Sequence, residues 1–85
     1  MSRVIVEFDK NFTMLAIHSD QSLSFLIGDL EKLDGVILVN TPGYNDLEVY
    51  LDYLHFRNLD NQARLKTDLA FMLEHLNRPV EYVQN

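Results

Sequence analysis

Asp46-Leu-Glu-Val-Tyr-Leu-Asp-Tyr-Leu-His-Phe56 is the stretch on which the fold turns, because two periodicities run through it at once. Leu47, Val49, Leu51 and Tyr53 alternate with Asp46, Glu48 and Asp52, the pattern of a strand with one wet face. Leu47, Tyr50, Leu51 and Leu54 also fall on one side of a helix. The Val, Tyr and Phe content and the loop that precedes it favour the strand. Read as extended over 46–56, the segment sets Asp46, Glu48, Tyr50 and Asp52 in a row on its outer side.

Upstream, Asn40-Thr-Pro-Gly-Tyr-Asn45 reads as a loop. Before it, Val36-Ile-Leu-Val39 is an unbroken apolar run, as expected of a central strand covered on both faces. The two strands then form a long hairpin. Asp34-Gly35 ends a preceding helix, with Gly35 free to take the left-handed cap. That helix starts at Ser19-Asp-Gln-Ser22, where Asp20 or Ser22 can cap the free N–H groups. Leu23, Leu26, Ile27, Leu30 and Leu33 form its apolar stripe. Gly28 is a weak point within it and invites close packing on the sheet.

At the chain start, residues 3–8 alternate as a strand, with Val4, Val6 and Phe8 on one side and Arg3, Ile5 and Glu7 on the other. Asp9-Lys-Asn11 supplies a turn, with Asn11 suited to a left-handed conformation. Residues 12–18 return as the second strand of an antiparallel hairpin. Downstream, Asn58 or Asp60 caps a last helix whose stripe is Leu65, Leu69, Met72, Leu73 and Leu76, and Pro79 stops it. Val80–Val83 alternates as a short edge strand would, or as an arm for docking.

The expectation is one α+β domain over residues 1–85 in ββαββα order. Its four-stranded sheet is antiparallel or mixed, two helices pack on one face, and a short C-terminal strand is the option left open. A chain of 85 residues, 47% apolar, has room for one core and no second domain.

The charge of −6 is unevenly placed. Residues 1–56 hold nine acids and three bases, residues 57–85 hold four of each, and no Lys or Arg lies between Leu33 and Phe56. Phosphate contacts need clustered cations, so direct nucleic-acid binding is not expected. An anionic membrane surface is disfavoured for the same reason, and the apolar runs are far too short for a span. The absence of cysteine rules out thiolate zinc and favours a reducing, cytoplasmic setting. The N-terminus shows no signal-peptide pattern.

Few residues suggest chemistry. His18-Ser-Asp20 places an imidazole near a carboxylate, as a base or metal site requires, but a strand-end histidine explains it more simply. His55 reads as half-buried packing, and His75 suits a helix C-terminus. Asp46, Glu48 and Asp52 in one solvated row would share one environment, whereas acid–base catalysis needs carboxylates in unlike ones. No cation-binding loop, nucleophile elbow or phosphate-cradling loop is present. No enzyme activity, metal or cofactor is expected.

Interaction features are stronger. Tyr44, Tyr50 and Tyr53 lie within ten residues and alternate with carboxylates. Tyrosine suits interfaces because its ring packs while its hydroxyl stays wet. The expectation is a small acidic protein-binding module, a homodimer joined through strand edges. It docks through Tyr44, Asp46, Glu48, Tyr50 and Asp52, as an inhibitor or adaptor of a cationic, nucleic-acid-handling partner. The alternative is a small-ligand regulatory domain, with its ligand between helices and sheet near Tyr44 and His18.

Overall fold

The computed structural model describes residues 3–85. Alternation in the first half of the chain becomes strands β1 (Val4–Phe8) and β2 (Met14–His18). A 3-10 turn at Ser24–Leu26 leads into α1 (Ile27–Glu31), and β3 (Val36–Gly43) and β4 (Asp46–Leu51) follow. Then come α2 (Tyr53–Phe56), α3 (Leu59–Leu73), a 3-10 turn at Glu74–Leu76 and β5 (Val80–Gln84).

Over the described residues the architecture is α+β: a mixed five-stranded sheet in the order β3-β4-β2-β1-β5, with three α-helices. Neighbours are antiparallel except β1 and β5, which run parallel with Val4 beside Val80. The sheet expected from the sequence has four strands and leaves this fifth one as an option. Val80–Gln84 is a full member of the sheet because its backbone pairs along all of β1.

One side of the sheet is fully covered. Val4, Val6, Phe8, Leu15, Ile17, Leu47, Val49 and Leu51 point toward Leu23, Leu26 and Leu30 and toward Leu65, Leu69 and Leu73 of α3. Burying each such side chain stabilises the fold by about 1.5–3 kcal/mol, which is what a short chain needs. No helix among the described residues is long and apolar enough to cross a membrane.

Four local expectations need correction. First, β3 is an edge strand, not a central one: Ile37 and Leu38 are 68% and 54% exposed. An apolar run marks burial only when both faces of the strand are covered; Leu38 lies on the uncovered face, and Ile37 sits at a bulge on the bare edge. Second, the Asn40–Asn45 loop shrinks to a two-residue turn, Tyr44-Asn45, between the paired Gly43 and Asp46. Third, the segment 46–56 obeys both of its periodicities in succession. It is strand as far as Leu51, then Asp52 accepts a hydrogen bond from the Leu54 N–H at 3.0 Å and caps α2. Tyr53, expected on the inner face, is 53% exposed on that helix. Fourth, the first helix is short. Ser22 accepts a 3.4 Å hydrogen bond from the Ser24 N–H, a local bond that competes with helix propagation. Gly28 does not serve close packing, since a Cβ there would meet nothing within 4 Å.

The turns show how the covered face is closed. Gly35 has φ +86°, the left-handed cap expected of it. A Cβ on it would lie against the rings of His55 and Phe56. In the β1–β2 turn the positive φ falls on Phe12 (58°), not Asn11. A phenylalanine is strained there. In exchange its ring is buried, stacked on Phe8 at 4.9 Å and tilted on Phe56 at 5.6 Å. The Asp9 carboxylate holds the turn by accepting from the Thr13 N–H (2.6 Å), the Thr13 hydroxyl (2.7 Å) and the Met14 N–H (3.1 Å). Asn58, of the two residues suited to cap α3, is the one that does so, accepting from the Asp60 and Asn61 N–H groups.

Candidate functional site: the open face of the sheet

The other side of the sheet carries no helix among the described residues. Strand alternation and register place its side chains in three rows across the strands. The first row runs Glu81, Ile5, His18, Asp46. The second runs Val83, Glu7, Ala16, Glu48, Asn40. The third runs Met14, Tyr50, Leu38. The face therefore grades from charged at one end to apolar at the other. Among its described residues four carboxylates (Glu7, Asp46, Glu48, Glu81) stand against one guanidinium, Arg3, which binds Glu81 at the rim at 2.7 Å.

His18 lies between two of these carboxylates. Its Nδ1 is 2.8 Å from Asp46 Oδ1 and its Nε2 is 3.5 Å from Glu7 Oε1. Asp20, the neighbour suggested by the sequence, is not its partner; Asp20 lies 4.0 Å from the Arg78 guanidinium. The two carboxylates approach opposite ring nitrogens, so they do not converge on one point. No cluster of three His, Cys, Asp or Glu able to hold a metal occurs among the described residues. In the middle row the short side chain of Ala16 stands between Glu7 and Glu48, which leaves both carboxylates room to meet an incoming group. Asn40 donates to Glu48 at 3.3 Å.

Three of the five residues expected from the sequence thus meet on this face: Asp46, Glu48 and Tyr50. Asp52 leaves the row because it caps α2. Tyr44 is 87% exposed in the β3–β4 turn. It lines a groove of about 400 Å³ on the helix side, with Ser24, Ile27, Pro42 and Leu47. The turn is fixed there by the Leu23 N–H bonding the Tyr44 carbonyl and the Ser19 N–H bonding the Asn45 carbonyl, both at 3.0 Å.

Glu7, Met14, Leu38 and Glu81 are not singled out as site residues by the sequence, and His18 is singled out only beside Asp20 or near a ligand with Tyr44. Alternation in residues 3–8 already set Glu7 opposite the core. What joins it to Asp46 is the pairing of β2 with both β1 and β4, a contact across 28 residues for His18 and Asp46.

Each of the remaining histidines meets a phenylalanine ring. His55 is half-buried and edge-on to Phe56 at 4.7 Å, and His75 is edge-on to Phe71 at 6.1 Å. Burial raises the Tyr82 hydroxyl above its ordinary pKa at the β5 edge. Comparison with known proteins gives no matching family model, no similar curated protein and no similar solved structure, so the site is read from its own geometry.

Proposed function

We propose that this chain is a non-enzymatic protein-binding module that docks a cationic partner on the open face of its sheet. The observation that carries this reading is the three-row arrangement itself. Acidic Glu7, Asp46 and Glu48 meet the partner's cations, while Met14, Tyr50 and Leu38 supply an apolar end that excludes water. Carboxylates steer the encounter and fix orientation, and the aromatic end holds the complex once formed. A partner built to grip phosphates presents the matching cationic surface, so the module acts as an inhibitor or adaptor of a nucleic-acid-handling protein.

The test is capture of partners from cells that express the chain, using wild type and the triple variant Glu7→Gln, Asp46→Asn, Glu48→Gln. Wild type should retain a basic protein that added duplex DNA displaces. The triple variant should lose it, and rising salt should weaken it. Equal capture by the triple variant would refute the reading.

One observation favours a second reading. The groove beside Tyr44 has the volume and apolar lining of a small-ligand site. A metabolite seated there would raise the melting temperature. His18 faces the other side of the sheet, so it takes no part in such a site.

A further inference from the structure

We infer that β3 is the pairing edge for a second copy of this chain, related by a two-fold axis, so that two five-stranded sheets run on as one. β3 is outermost, and only one of its sides is bonded to a strand, β4. Proteins guard bare edges with charge, proline, shortness or bulges. The opposite edge, β5, has five residues and carries Glu81 tied to Arg3. β3 has eight residues, no ionisable side chain, and its one proline, Pro42, next to its end. Bulges separate Val36 from Leu38 and Asn40 from Gly43, and between them Leu38-Val39-Asn40 keeps regular register with β4. Ile37 and Leu38 stand beside this regular core, both well exposed.

Charge selects the occupant. A chain of −6 repels its own copy over most of its surface, and the uncharged β3 edge is where two copies meet without that cost. A cationic partner finds no counter-charge there. Antiparallel pairing centred on Val39 is self-complementary. It sets Leu38 of each copy beside Asn40 of the other on the open face, and the two Val39 side chains together on the covered face. Pairing of β3 with β5 instead would leave a free edge on every added copy and would not close. In the closed dimer the Met14–Tyr50–Leu38 row of each copy runs on, through Asn40, into the Glu48–Ala16–Glu7 row of the other.

The experiment is solution mass by light scattering over a dilution series at low and high salt, with amide hydrogen exchange on the same samples. Wild type should reach twice the chain mass at high concentration. Added salt should strengthen the dimer, because it screens like charges. Amides of residues 36–43 should slow several-fold as concentration rises, while those of 80–84 stay unchanged. The double variant Ile37→Lys, Thr41→Lys, with circular dichroism as the folding control, should stay at the single-chain mass. A single-chain mass throughout with concentration-independent exchange overturns the inference. So does a dimer that survives the lysines, or one that protects 80–84 instead. Neither substituted residue belongs to the acidic row, so loss of the dimer is read separately from loss of the cationic partner.

Discussion

Met14 and Leu15 are adjacent in the chain and lie on opposite sides of β2. Leu15 is 0% exposed, packed under the helices beside Phe8 and Val49. Met14 faces the open side, half-buried between strands and opposite Tyr50. Every buried residue of the covered face is apolar, and no polar or charged side chain is buried there. The open face mixes carboxylates, a histidine, a tyrosine and aliphatic groups. The covered face thus supplies stability through dense packing, and the open face is free to carry a surface chosen for something else.

That division can be attacked from both sides. The largest effect is expected of Gly35→Ala, where α1 hands over to β3. The positive φ strains any side chain, and the new methyl group would be 2.6 Å from Phe56 Cε2. A loss of about 3–4 kcal/mol in urea unfolding is expected; a loss below about 1 kcal/mol would mean that this corner can relax. Leu15→Ala should cost about 3 kcal/mol by the same measurement, through the cavity it leaves. Gly28→Ala should have the opposite sign, raising stability by about 0.5–1 kcal/mol, since its surroundings are open and its φ is not positive. Met14→Ala should cost about 0.5 kcal/mol, a small fraction of the Leu15→Ala effect. Equal losses at Met14 and Leu15 would show that the open face is structural.

The smallest effect is one of pH and concerns the β1–β2 turn. Burial opposes ionisation of Asp9, but the Thr13 hydroxyl and the N–H groups of Met14, Thr13 and Asn11 together outweigh it. They hold the carboxyl below its ordinary value of 3.8. A depressed folded value contributes stability above the ordinary value, and that contribution is lost as pH falls through the folded one. Melting temperature should therefore fall on acidification below about pH 4. Asp9→Asn should flatten part of that slope, and an unchanged slope would exclude Asp9 as its source.

Periodicity made the covered face legible in the sequence. Each inward residue of 3–8 and 47–51 is where alternation puts it, and so is the stripe of Leu65, Leu69 and Leu73, because these local patterns directly encode one-sided burial. Asp46, Glu48 and Tyr50 were legible for the same reason. What the sequence hid was long-range pairing. Val36–Val39 reads as central because apolarity reports side chains and says nothing about which backbone edge is paired. Val80–Gln84 reads as optional because its partner, β1, lies at the other end of the chain. Asp52 was misread because a cap and an outward strand residue share one chemistry.

The parallel alliance of β5 with β1 has a consequence for how the chain comes into being. β1 leaves the ribosome before β5, so β1 waits with one flank unpartnered while the residues between them are made. Their contacts span 76 residues, from Val4 to Val80, and such distant pairings close slowly. Until that strand arrives, the nascent sheet ends in β1 instead of in the short β5 edge with its Glu81–Arg3 pair, and the interval before it locks is when the newborn protein is most open to misassembly.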